Sequence, residues 1–151
     1  MGIPPESAWL ADFAHPHGAP RLEVLARRWA GPRRRDLLDT IADARWLDRT
    51  RATPVEIVDS TPAGVERLLR VRGANGRCIV LAEEPSAAYE ALREALVRVV
   101  GQSYAAIVFC TPGPLAYYET ETSERFILIG TARVGEKNVA PEAALKARQP
   151  R

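Results

Sequence analysis

The stretch from Arg77 to Cys110 constrains this chain more than any other, because its apolar pattern changes period twice. Cys78–Ala82 is a short apolar run bounded by Gly76 and Pro85, which reads as a buried strand. From Ser86 to Val100, the apolar residues Tyr89, Leu92, Leu96 and Val99 recur at helical spacing. Glu90, Arg93, Glu94 and Arg98 fall on another face. Ser86 is placed to cap that helix and Gly101 to close it. Ala105–Cys110 is apolar on both faces, as an interior strand requires. A strand–helix–strand unit of this kind implies two parallel strands with the helix packed across them. The expected core therefore includes Ile79, Leu81, Leu92, Leu96, Ile107 and Phe109.

Upstream, the chain reads as helical. Trp9, Leu10 and Phe13 form one face of a short opening helix, which the segment HPHGAP at 15–20 breaks. Pro20 starts a second helix with Leu22, Leu25 and Trp29 on one face. Gly31-Pro32 ends it, and a third runs over Arg33–Arg49 with Leu37, Ile41, Ala44 and Leu47 along its core stripe. From Thr53 the period becomes alternating, and Val55–Asp59 reads as a strand. Residues 62–72 carry two patterns. Pro62 and Gly73 would bound a helix, whereas Gly64 in a first turn, the alternation of Val65, Arg67, Leu69 and Val71, and the turn signal Asn75-Gly76 favour a hairpin. Ala116–Thr122 and Arg125–Val134 form a second hairpin.

The expectation is an α+β fold. N-terminal helices are followed by a mixed sheet in the order βββ-α-βββ, with the parallel crossover at 77–110. A single domain spans 1–134, helical over 1–52 and sheet-forming over 53–134, and 135–151 forms a polar tail.

With 151 residues the chain is long enough for one domain with a substantial core. No apolar run reaches the roughly 18 residues of a membrane span. The start, MGIPPESAWLADF, lacks a basic region and an apolar signal core, so the expected location is the cytoplasm without membrane contact. Cations are nearly all Arg, with Lys only at Lys137 and Lys146, which fits a GC-rich, bacterial-like composition. A net charge of +2 is too small to require a nucleic-acid partner. Cys78 and Cys110 sit in the two crossover strands, where a reducing, apolar setting favours free buried thiols.

Several residues are candidates for chemistry. Glu83 and Glu84 end the first crossover strand, where a pair of acids can hold Mg²⁺ or simply favour the positive end of the following helix. Arg33, Arg34 and Arg35 oppose the dipole of the third helix. Arg35 can pair with Asp39, but Arg34 faces Leu38, so the cluster is either an exposed Arg-rich surface tolerated at small cost or a contact for an anion or a nucleic acid. His15 and His17 are half a metal site at most. Tyr117, Tyr118, Glu119 and Glu121 on the last hairpin form either a solvent-facing strand or a strip that contacts a partner.

The element order over residues 33–110, helix–βββ–α–β, resembles the core of the PD-(D/E)XK nuclease superfamily. That resemblance implies Mg²⁺ held by Glu66 on a second strand and Glu83, with Glu84, near the end of a third. Pro85 stands where the family places Lys, and Arg67 or Arg77 would have to replace it. The same order is similar to type III secretion chaperones, which implies protein binding without catalysis. Since no complete catalytic constellation occurs, the expected function is a non-catalytic binding or adaptor module with no cofactor. It would engage a protein partner or itself, as a homodimer, through a sheet edge or the final hairpin. The alternative is a divergent Mg²⁺-dependent nuclease, or a nucleic-acid-binding relic of one.

Overall fold

The computed structural model describes residues 3–130. The end of the final strand expected to reach Val134, and the tail at 135–151, lie outside the described residues. The described residues contain six strands: β1 (Ala52–Pro54), β2 (Arg77–Leu81), β3 (Glu90–Ala91), β4 (Ala106–Cys110), β5 (Leu115–Glu119) and β6 (Arg125–Ile129). They form one sheet in the order β1-β6-β5-β4-β2-β3, and every neighbouring pair is antiparallel.

All residues of β4 and β5 are buried, so neither of these strands has a face toward solvent. Alternate residues feed two separate cores. Ile79, Leu81, Ile107, Phe109, Tyr118 and Phe126 pack under the N-terminal helices α1 (Trp9–Phe13), α2 (Ala19–Ala26) and α3 (Arg34–Thr40). Cys78, Val80, Val108, Cys110, Tyr117 and Ile127 pack under α4 (Pro62–Val71) and α5 (Leu92–Val99). The result is a sheet sandwiched between two helical layers. Phe109 centres the first core, with Trp29, Trp9 and Phe13 rings 5.2, 6.0 and 6.4 Å from its own. All six core residues expected from the 77–110 stretch are buried.

The parallel crossover is not found. Cys78 stands opposite Cys110 and Leu81 opposite Ile107, so β2 and β4 run antiparallel. The cause is the return path. After β2 the chain doubles back at once, and β3 pairs antiparallel with the start of β2, Cys78 opposite Glu90. The helix therefore begins at Leu92 rather than Ser86, with Leu92 N–H donating to Gly76 O at 2.8 Å. Two legs, one extended and one helical, lie between the strands, and the chain re-enters the sheet in the opposite sense. Ser86 caps the sheet instead of the helix: its Oγ accepts from Val80 N at 2.8 Å and its N–H donates to Val80 O at 3.1 Å.

Residues 62–72 form a helix, not a hairpin. Thr61 Oγ accepts from Gly64 N at 3.0 Å, and Pro62 occupies the first turn, a favourable start on both counts. Val65 and Leu69 face the core four residues apart. Gly64 is required because a Cβ there would stand 2.5 Å from Asp59 O. Nor is Val55–Asp59 a strand. The sheet contact lies earlier, at β1, and Ile57–Asp59 is a single 3₁₀ turn. The element order behind both family resemblances is thus absent.

The third helix stops at Thr40 rather than Arg49. Asp43 and Asp48 accept from the N–H of Arg45 and Thr50, two residues on in each case, local bonds that compete with a continued helix. Among the described residues no helix is long and apolar enough to cross a membrane.

Candidate binding cavity at the sheet end

β2 and β5 finish, and β4 and β6 begin, at one end of the sheet. A cavity of 390 Å³ opens there, within the size range of small-ligand sites. Ala82 and Ala106 from the strand ends and Val99 from α5 give it an apolar floor. Arg35 reaches it from α3 and Arg98 from α5, so both helical layers contribute. Glu83, Glu84, Tyr104 and Glu121 complete the wall from loops.

One buried carboxylate shapes the loop carrying Tyr104. Glu119, the last residue of β5, is fully buried. Its Oε1 accepts from Gly101 N at 2.9 Å, Tyr117 OH at 2.7 Å and Arg125 Nε at 3.2 Å, and its Oε2 accepts from Ser103 N at 2.8 Å. Held this way, Gly101 and Ser103 take φ of +84° and +61°. Ser103 Oγ lies 2.5 Å from Ser123 Oγ, and Ser123 is itself at φ +68°, so the loops before β4 and after β5 are tied together beside the cavity. Non-glycine residues at positive φ are uncommon and occur where surrounding bonds impose them.

The charges divide into committed and uncommitted groups. Arg35 is engaged by both carboxylate oxygens of Glu83 and lies 3.6 Å from Asp39. Arg98 donates to Glu90 at 2.6 and 3.1 Å. Burial pushes the Glu90 carboxyl up, but the hydrogen bonds from Arg98 and Ser86 outweigh this and hold it below the usual carboxylate range. Glu84 and Glu121 have no side-chain partner among the described residues, and Tyr104 is half exposed.

Of the residues singled out from sequence, Glu83, Glu84, Arg35 and Glu121 meet in this cavity. Glu66 does not join them. It lies on α4, buried, and accepts from Arg70 Nε at 2.9 Å and Arg93 Nε at 3.0 Å. The hydrogen bond from Arg93, then that from Arg70, holds its carboxyl below the usual range. Glu66 thus belongs to the α4–α5 layer, while Glu83 is tied to α3 across the sheet, and the two acids line different cavities. Arg67 and Arg77 are engaged elsewhere, Arg67 3.5 Å from Asp59 and Arg77 stacked 4.9 Å over the Tyr89 ring.

Each member of the arginine triplet has a partner within the protein, while Arg33 and Arg35 stay exposed. Arg33 pairs with Asp36 at 3.0 Å, Arg34 donates to Trp29 O at 2.5 Å, and Arg35 takes Glu83. Tyr117 and Tyr118 are fully buried and offer no surface to a partner. Burial pushes both phenols up. The final hairpin lies inside the sheet, between β1 and β4. One sheet edge is β1, three residues including Pro54, and the other is covered by β3 and Ser86. His15 Nδ1 accepts from Gly18 N at 3.1 Å within a turn. Among the described residues no group of three or more His, Cys, Asp and Glu is placed to hold a metal ion.

Sequence reasoning missed Arg98 and Tyr104 as site residues. Arg98 was visible only as a polar position on α5, and the loop that presents Tyr104 is set by Glu119, eighteen residues from Gly101. Compared with protein-family models, with curated proteins and with solved structures, the chain matches none.

Proposed function

We propose that the chain is a non-catalytic binding module that takes a cationic side chain of a protein partner into the sheet-end cavity. The observation that carries this reading is that both uncommitted charges there, Glu84 and Glu121, are carboxylates, while Arg35 and Arg98 are already paired. The apolar floor suits the methylene stem of Lys or Arg, and the exposed Tyr104 ring suits its charged head. Sheet-edge pairing has less support, because the two edges are short or covered.

Titration calorimetry with an Arg- and Lys-containing peptide, against a peptide of the same length with Gln at those positions, tests the proposal. The basic peptide binds, binding weakens with salt, and the double variant Glu84→Gln/Glu121→Gln loses it. Equal binding of both peptides, or no effect of the double variant, would overturn the reading.

A further inference from the structure

We infer that Cys78 and Cys110 form a paired oxidation site, which a small disulfide oxidant closes into one intramolecular cross-strand bond and a thiol reductant reopens. They are the chain's two cysteines, and they stand directly opposite each other on β2 and β4. The hydrogen-bond pattern fixes which kind of opposite pair they are. Thr111 N donates to Arg77 O at 3.1 Å, so the adjacent pair is the hydrogen-bonded one. On the other flank of β2, the N–H and C=O of Val80 both turn outward to Ser86, at 2.8 and 3.1 Å. Residues of that parity face away from β4, and Cys78 shares it. Cys78 and Cys110 therefore occupy a non-hydrogen-bonded position, where opposed Cα atoms are about 4.5 Å apart, inside the range of about 4.4–6.8 Å that a disulfide spans. Both side chains point to the same face and lie in the same core under α5. Cys110 Sγ donates to Val108 O at 3.7 Å in the reduced form, and closing the bridge requires rotation of the side chains about their Cα–Cβ bonds.

Both thiols are free and fully buried. Burial pushes the Cys78 thiol up to about 12 and Cys110 higher still, so the thiolate is scarce while the sheet is closed. Among the described residues β2 is bordered at this edge of the sheet by β3, two residues long, with α5 above the Cys78 side chain; so short a pairing opens more readily than the sheet centre, and the start of α5, which follows β3 directly, opens with it. Once exposed, the Cys78 thiolate attacks one sulfur of the oxidant, breaks its S–S bond and releases one thiol. Cys110 then displaces the second. Two cysteine protons are lost, two electrons pass to the oxidant, and its two sulfurs leave as thiols. The bond joins the two strands whose ends, Ala82 and Ala106, floor the cavity.

The test incubates the full chain with glutathione disulfide under native conditions and follows intact mass. The expected product is a monomer that has lost two hydrogens, keeps its far-ultraviolet circular dichroism, melts at higher temperature and reverts with dithiothreitol. The inference falls if the mass is unchanged, if a glutathione adduct or a cross-linked dimer is the main product, or if the bridge forms only in urea. Loss of two hydrogens in Cys110→Ala would place the change elsewhere and overturn it equally. Should Cys110→Ala fail to fold, the wild-type measurement alone decides.

Discussion

Glu66 of α4 and Arg93 of α5 meet at 3.0 Å across the groove between the two helices, and this contact makes one layer of them. Arg70 closes the other side of the carboxylate at 2.9 Å. Glu66 is buried, but the two arginines are largely exposed, so Glu66→Gln costs about 1–2 kcal/mol rather than the larger figure of a fully buried pair. The loss has a pH signature. Hydrogen bonds lower the folded-state pKa, so the contribution is fully present above the ordinary carboxylate value of 4.5 and disappears as pH falls through the lowered one. Urea unfolding of wild type and Glu66→Gln should show a gap at pH 7 that closes in acid. A gap of the same size at pH 7 and pH 3 would contradict this.

Tyr118 ties the sheet to the first helical layer. Its hydroxyl accepts from Trp46 Nε1 at 3.0 Å and lies 2.6 Å from Ile41 O and 2.8 Å from Asp43 O. Tyr118→Phe strands a buried indole N–H and costs about 1–3 kcal/mol. Chemical denaturation measures it, and a change below about 0.5 kcal/mol, the level of an ordinary surface substitution, would show that the network does not carry the junction.

How far the sequence could be read follows from which bonds are local. Burying Ile79 and Phe109 needs only apolar runs, and both residues are core as expected. Pro62 and Gly73 also marked the α4 boundaries in the sequence, while the Thr61 cap emerged only in the fold. Gly64 misled because its reason is a close approach to Asp59 O, a contact that exists only after folding. The direction of β4 was hidden in the same way. Ser86 resembles a helix cap, yet Val80 of the sheet takes it, and the six residues before Leu92 become the return leg. At the cavity, Glu83 and Glu84 were legible as paired acids. Their separation into a committed and an uncommitted carboxylate depends on Arg35, 48 residues from Glu83.

α5 supplies a packing test. Leu96 is fully buried in the second core, whereas Val97 beside it is 60% exposed. Leu96→Ala should lower stability by about 2–5 kcal/mol, and Val97→Ala should change it by less than about 0.5 kcal/mol. Thermal or urea unfolding of the pair checks both at once. Similar melting of the two variants would mean that the helix does not pack on the sheet through the Leu96 face.

Glu119 connects the fold to the cavity. Its two oxygens receive four donors, two of them the backbone N–H groups of Gly101 and Ser103. Glu119→Gln keeps the size of the side chain but turns one acceptor into an NH₂ donor, which must then face a backbone N–H, a hydroxyl or a guanidinium. No rotation of the amide satisfies all four donors, because each oxygen is used. The substitution should cost about 1–3 kcal/mol, and its effect should be local. Amide exchange at Gly101 and Ser103 should accelerate far more than exchange in the centre of β4, as the loop opens below the global unfolding free energy. Tyr104 would lose its fixed position, and binding of the basic peptide would weaken although Glu84 and Glu121 are untouched. Uniform acceleration across β4 and the loop would show that Glu119 supports the whole sheet instead. Unchanged exchange at Gly101 and Ser103 would show that the loop holds its shape without it.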